Sequence, residues 1–332
     1  MTTLSTEMMA GQRLMVGFDG TDFNDDLEFL IGTLQVGGLI LFSRNLGAPE
    51  QIRQLCRDCQ SCATRCGLPP LFIAIDQEGG PVARLKPPFT QFPGNPAMKH
   101  PDDAADFARV TAGELTDVGI NMDMAPVLDV APEGEESVMA GRSFGGDPDW
   151  VSTMGTTMID HFQQRGIMAV AKHFPGIGRT VLDSHRALPD LDIDPQTLAD
   201  MDLVPFKAAI HGNVAGIMLS HIRYTQLDPD LPASLSRIIA MDLLRNQMGY
   251  QGVIMTDDLD MGSIQKYYPI TESIRHILHA EIDLALICHK GPAIETAFEE
   301  ILRITTDDPT AGSANDQSLS RIIALKAKYL TV

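Results

Sequence analysis

Positive charge is what this chain is short of. It carries 25 Lys and Arg against 44 Asp and Glu, a formal charge of −19. Most of its surface would therefore repel a nucleic-acid backbone or an anionic membrane. No apolar run approaches the ~18 residues that a spanning helix needs. The opening, MTTLSTEMMAGQRLMVGFDG, has no basic stretch leading into a long apolar run and a small-residue cleavage site. The expectation is a soluble, cytoplasmic protein with neither a nucleic-acid nor a membrane partner. Low-complexity segments are missing too, and 44% hydrophobic with 21% charged residues implies a globule with a large core. Disorder is expected at the ends and around 305–315.

Cysteines are few, five in all, yet four crowd into CRDCQSCATRC as Cys56, Cys59, Cys62 and Cys66. That is the spacing of a bacterial iron–sulfur run. Residues 49–65 read as a helix, however, and at about 100° per residue the four share a face with Ile52 and Leu55. Gly67 follows where such runs usually have proline. The cysteines are therefore expected to serve as small core residues, with no metal site.

What the chain does have is a recurring pattern of short apolar runs separated by helical stretches. The runs are LMVGF (14–18), GLILF (38–42), LFIAI (71–75), INMDMAPV (120–127), MAVA (168–171), GIMLS (216–220), VIMT (253–256) and LALIC (284–288). Continuous apolar runs alternating with helices indicate buried parallel strands. Eight of them predict a single-domain (β/α)8 TIM barrel over residues 1–332, with its site where the strands' C-terminal ends meet. An open doubly wound sheet is the alternative, but no glycine-rich dinucleotide or phosphate loop follows the first strand. The groups presented at that rim are Asp19, Arg44, Asp76, Asp129, Lys172 with His173, His221, Asp257 with Asp258, and His289.

Several carboxylates around a polar rim suggest acid–base or nucleophilic chemistry on a neutral polyol, with one carboxylate as nucleophile and a second group as proton donor. Asp257, just past a buried strand in GVIMTDDLDM, is the candidate nucleophile, and Asp258 the candidate helix cap. Asp183 and His185 stand two apart on a loop containing Gly176 and Gly178. A carboxylate beside an imidazole orients it and raises its pKa, which makes a general acid near neutral pH. The glycines would let that loop bend and swing.

The blocks GGLILFSRN, IAIDQEGG, APVLDV, GRSFGGDP, KHFPGIG, DSH and GVIMTDDLDM occur in this order between residues 37 and 261, and the likeness they carry extends from about residue 14 to 289. Together they closely resemble the family 3 glycoside hydrolases, and within these the bacterial β-N-acetylglucosaminidase branch of peptidoglycan recycling. The resemblance implies a retaining, exo-acting enzyme that releases terminal N-acetylglucosamine from cell-wall fragments or muropeptides without metal or organic cofactor. Asp257 would form the glycosyl-enzyme, and His185, oriented by Asp183, would protonate the leaving oxygen and then activate water. It implies substrate contacts from Asp76, Arg84, Arg142, Lys172 and His173, with Met218 and His221 lining or underlying the pocket. The chain departs from that branch at Ile177 and Arg179, where His and Asp are common, at Pro81, and in HAEID (279–283). Rival readings are a phosphorylase or β-glucosidase of the same family and a non-catalytic sugar-binding barrel.

Overall fold

The computed structural model describes residues 5–181, 188–307 and 309–330. Each apolar run carries a strand, and β5 and β7 continue past their runs: β1 Leu14–Val16, β2 Gly38–Leu41, β3 Phe72–Ile75, β4 Met122–Asp123, β5 Met168–Phe174, β6 Gly216–Leu219, β7 Val253–Asp258 and β8 Leu284–Ile287. Every strand pairs in parallel with its sequence neighbours, and Leu14 opposite Ala285 closes β1 onto β8. The architecture is the expected (β/α)8 barrel.

The connecting helices carry their own start and stop signals. The helix Pro101–Val118 places proline at its first position, where the missing N–H costs nothing. The Asp103 carboxylate accepts from the Lys99 and His100 amides at 2.7 and 2.9 Å. Gly119 ends the helix at φ +87, a left-handed turn open to glycine without a Cβ clash. In the helix Pro49–Arg65, Cys56, Cys59 and Cys62 are buried beside Ile52 and Leu55, and burial pushes the Cys56 thiol up to about 12. Cys66 lies past the helix end and is exposed, so the expected shared face holds for three of the four cysteines.

The barrel interior is rich in methionine: Met15, Met122, Met168, Met218 and Met255 pack with Phe72, Val253 and Leu284. Flexible thioethers suit the irregular space inside a small closed sheet. At the N-terminal end the helix Pro309–Tyr329 acts as a plug, inserting Ile322 and Leu325 into the same cluster. Beside them Lys326 Nζ donates to Gln12 Oε1 at 2.7 Å and to the Gly37 carbonyl at 2.8 Å, while burial lowers its pKa to about 7. Of the 305–315 stretch, where disorder was expected, residues 305–307 end the helix Pro292–Asp307, residues 309–315 begin the terminal one, and residue 308 lies outside the described residues.

HAEID also finds its reason at this end of the barrel. Asp283 is fully buried just before β8, where it accepts from the Ile254 amide at 2.8 Å and pairs with Arg245 and Arg321 at 2.5 and 2.8 Å. The acidic residue thus ties β7 to the Ile238–Gln247 helix and to the terminal plug. Among the described residues no helix is long and apolar enough to cross a membrane.

Candidate active site

A cavity of about 530 Å³ opens at the C-terminal rim. Its floor is barrel interior, formed by Ile40, Met218, Leu286 and Cys288. Asp76, Arg84, Arg142, Lys172, His173 and Asp257, each expected from sequence, all line it. Their Cα atoms come from four separate strand ends or the loops that follow.

Two of those strands are irregular at the point that matters. Along β5, Ala171 faces Ile217 and Phe174 faces Leu219, so three steps on one strand match two on the other. Along β7, Met255 faces Leu284 and Asp258 faces Leu286, with the same excess. An extra residue in one strand breaks the alternation of side chains between faces and re-aims them. In consequence both Lys172 and His173, and both Asp257 and Asp258, reach the cavity.

The polar wall is an alternating charge network. Lys172 Nζ lies 2.8 Å from Asp76 and 2.6 Å from Glu78. Arg84 reaches Asp76 at 3.2 Å, and Arg142 grips Glu78 with two bonds of 2.9 and 2.6 Å. Burial alone would raise both carboxyls, but Lys172 with Arg84 holds Asp76, and Lys172 with Arg142 holds Glu78, below their usual ranges. Both acids are therefore ionised, which leaves Asp76 oxygens able to accept from sugar hydroxyls. Sequence reasoning missed Glu78, two residues from Asp76 in the same IAIDQEGG block. Beneath them Asp123 is fully buried, accepts from the Gln77 amide at 2.9 Å, and is driven by burial well above the usual carboxyl range.

His173 is anchored from behind, its Nδ1 2.8 Å from Asp129 Oδ2. Asp129 Oδ1 accepts from the Ile177 amide at 2.8 Å, so one carboxylate orients the ring and pins the loop after β5. Arg179 docks on buried Asp202 at 3.1 Å. The glycines here serve close approach instead of the expected swing: a Cβ on Gly178 would sit 1.9 Å from the Val130 carbonyl oxygen. Ile177 and Arg179 are thus built into the loop's base, while Pro81 sits exposed in the turn of a two-strand ribbon, Gln77–Gly79 with Val82–Ala83. Asp183 and His185 lie outside the described residues.

Asp257 accepts from the Asp258 amide at 2.8 Å and forms no ion pair with the described residues. Asp258 is not the expected helix cap. Its Oδ1 accepts from the Asp260 and Cys288 amides, both at 3.0 Å, which staples the end of β7 to β8. Burial, with the neighbouring Asp260 and Asp257 charges, raises its pKa to about 6. His289 lines the cavity with its Nδ1 3.6 Å from Asp260. Four other rim residues do not reach the cavity: Asp19 and Arg44 pair with each other at 3.1 Å, Asp129 lies behind His173, and His221 lies under Asp258.

The model of the glycosyl hydrolase family 3 N-terminal domain matches residues 5–325. A protein named beta-hexosaminidase from Thiobacillus denitrificans is 35% identical over 91% of this chain and 84% of its own. Beta-hexosaminidase A of Pseudoalteromonas piscicida is 34% identical over 99% of this chain and 61% of its own. The solved family 3 beta-N-acetylglucosaminidase of a Paenibacillus strain superposes with a TM-score of 0.96 at 36% identity, over 98% of this chain and 63% of that one. The chain thus spans about three fifths of the length of the latter two relatives. With a closed parallel barrel, a rim pocket of paired charges and a family match over nearly its whole length, the chain belongs to glycosyl hydrolase family 3.

Proposed function

We propose that this protein is a retaining, exo-acting β-N-acetylglucosaminidase that removes terminal N-acetylglucosamine from cell-wall-derived fragments in the cytoplasm. The observation that carries the reading is Asp257, a carboxylate without an ion-pair partner among the described residues, in a cavity where Asp76 and Glu78 are matched by Lys172, Arg84 and Arg142. A cavity floored by barrel interior suits the end of a sugar chain better than its middle, and the relatives carry hexosaminidase names.

In this mechanism Asp76 accepts from ring hydroxyls, while Lys172, Arg142, Arg84 and His173 donate to hydroxyl or acetamido oxygens. Asp257 attacks the anomeric carbon as the glycosidic bond breaks. His185, oriented by Asp183, gives its proton to the leaving oxygen and then takes one from the attacking water. The acid/base group comes from the barrel's own loop, so residues 1–332 act as one catalytic domain.

The test compares 4-nitrophenyl N-acetyl-β-glucosaminide with the matching β-glucoside, with Asp257→Asn as the blank. We expect preference for the acetamido sugar, first release of the β anomer by proton NMR, and no turnover in the blank. His185→Ala should impair the disaccharide far more than the aryl glycoside, because a good leaving group needs little protonation. An active Asp257→Asn enzyme, or equal losses on both substrates for His185→Ala, would refute the respective assignment.

A further inference from the structure

His221 was expected from sequence to line or underlie the pocket. It is buried two residues beyond β6, beneath the cavity-lining Asp258, with both ring nitrogens engaged. Nε2 lies 2.8 Å from the Asp258 carbonyl oxygen. A carbonyl oxygen accepts and never donates, so Nε2 carries the hydrogen. Nδ1 lies 2.6 Å from the Ser234 hydroxyl, a group able to donate or accept. Ser234 is itself fully buried, and its amide donates to the Ser220 carbonyl at 3.0 Å, which seats the hydroxyl against the ring. The ring thus bridges the Ser234 hydroxyl and the Asp258 carbonyl, donating to the latter.

That carbonyl belongs to the residue on which the Asp257 side chain rests. The Asp258 amide donates to Asp257 Oδ1 at 2.8 Å, the Asp258 carboxylate is stapled to Cys288 on the β8 side, and its carbonyl also accepts from Met261 at 3.1 Å. The strand irregularity between Met255 and Asp258 interrupts the regular ladder here. On the β6 side the ladder is regular through Thr256 opposite Leu219 and ends there, and His221 extends it with a side-chain bond. The residue following the nucleophile is thereby held from both neighbouring strands.

Building on the assignment of Asp257 as nucleophile, we propose that His221 is a positioning residue for it, its Nε2–H fixed by the Asp258 carbonyl and its ring seated by Ser234. A carboxylate must lie roughly 3–3.5 Å from the carbon it attacks, and a displacement of about 1 Å can cost about 100-fold in rate. Holding the Asp258 peptide therefore acts on the rate of attack more than on sugar binding, which the separate Asp76–Lys172–Glu78–Arg142 wall provides.

The test uses the whole chain with three variants. Ser234→Ala leaves the imidazole in place but deletes the hydroxyl that seats it against the Asp258 carbonyl. His221→Phe removes the bond to Asp258. His221→Gln keeps an N–H that can donate to the carbonyl. We expect kcat on 4-nitrophenyl N-acetyl-β-glucosaminide to fall about 10- to 100-fold in His221→Phe with KM within about twofold, and part of the loss to be recovered in His221→Gln. Nitrogen-15 spectra of histidine-labelled protein should report one ring protonated at Nε2 whose Nδ1 resonance shifts when the hydroxyl partner is lost in Ser234→Ala, where kcat also falls.

Wild-type kcat in both His221→Phe and Ser234→Ala, beside an inactive Asp257→Asn, would overturn the role of His221 alone. An active Asp257→Asn would overturn both assignments. Should His221→Phe fail to fold, the kcat and spectrum of Ser234→Ala decide the matter.

Discussion

Replacing Glu78 by glutamine probes the polar wall at its centre, because this residue touches two of the cations assigned to the sugar. Its carboxylate makes three charge-assisted contacts, one to Lys172 at 2.6 Å and two to Arg142 at 2.9 and 2.6 Å, and its side chain is 2% exposed. Glutamine keeps the shape but offers one acceptor atom, and turns an NH2 group toward a cation. Hydrogen bonds to charged groups contribute about 1.5–3 kcal/mol each, and breaking a buried ion pair costs about 3–5 kcal/mol. A loss of about 3 kcal/mol is the reasonable expectation, and at roughly 2 °C per kcal/mol in a chain of this size Tm should fall by about 6 °C. If about 2.7 kcal/mol of that loss is felt at the transition state, through misplaced Lys172 and Arg142, kcat/KM falls about 100-fold.

The pH dependence adds a signature of its own. Burial would raise the Glu78 pKa, but Lys172 and Arg142 more than offset it and leave it below the ordinary 4.5. A depressed carboxyl contributes stability above its unfolded pKa and loses it as the pH falls through the folded value. The Tm gap between wild type and Glu78→Gln should therefore be full at neutral pH and close below about pH 4.5. The assays are thermal denaturation followed by circular dichroism and steady-state kinetics on the aryl N-acetylglucosaminide. A variant with Tm within about 1 °C and kcat/KM within about twofold of wild type would refute the reasoning.

Two further substitutions test buried titrations of opposite kind. Asp258 has its pKa raised to about 6, so its favourable contribution is full below about pH 4 and is lost as the pH rises through 6. Asp258→Asn retains an acceptor for the Asp260 and Cys288 amides, so the stability of the variant relative to wild type should increase between pH 4 and pH 8; a constant difference would contradict the assignment. Lys326 is pushed down to about 7 by burial, against roughly 10.4 in an unfolded chain. The unfolded state then binds the extra proton, and wild type should gain stability from about pH 7 to pH 10 relative to Lys326→Met. Parallel denaturation curves for the two proteins across that range would show that the lysine is not desolvated.

The fold was legible because its signal is local. A strand buried on both faces must be apolar along its length, and polar groups must appear where it leaves the barrel, so each run such as GLILF or LALIC announces itself within five residues. Asp76, Lys172, His173 and Asp257 could be named for a similar reason, since each sits in a block that also carries its strand end, whereas Arg84 and Arg142, in the loops beyond, were named through the family resemblance. The errors arose where side-chain direction or pairing depends on distant chain. Asp258 read as a cap because acids commonly precede helices, yet its partner amide at Cys288 is 30 residues away. Gly176 and Gly178 read as hinges, since nothing nearby in sequence reveals that Val130 and Asp202 press against them.

The amino-acid sequence by itself determined the strand count, the rim at which chemistry is presented, the excess of negative charge and the residue types available to the site. Tertiary structure alone decided how those residues are matched. Glu78 meets Arg142 across 64 positions, His221 meets the Asp258 carbonyl across 37, and Asp283 meets Arg321 across 38. The strand irregularities at Lys172–His173 and Asp257–Asp258 likewise exist only in the register between neighbours. Propensity and periodicity act over a few residues, whereas closing a barrel brings the ends of eight separate strands within hydrogen-bonding distance, and the charges that meet there are set by that closure.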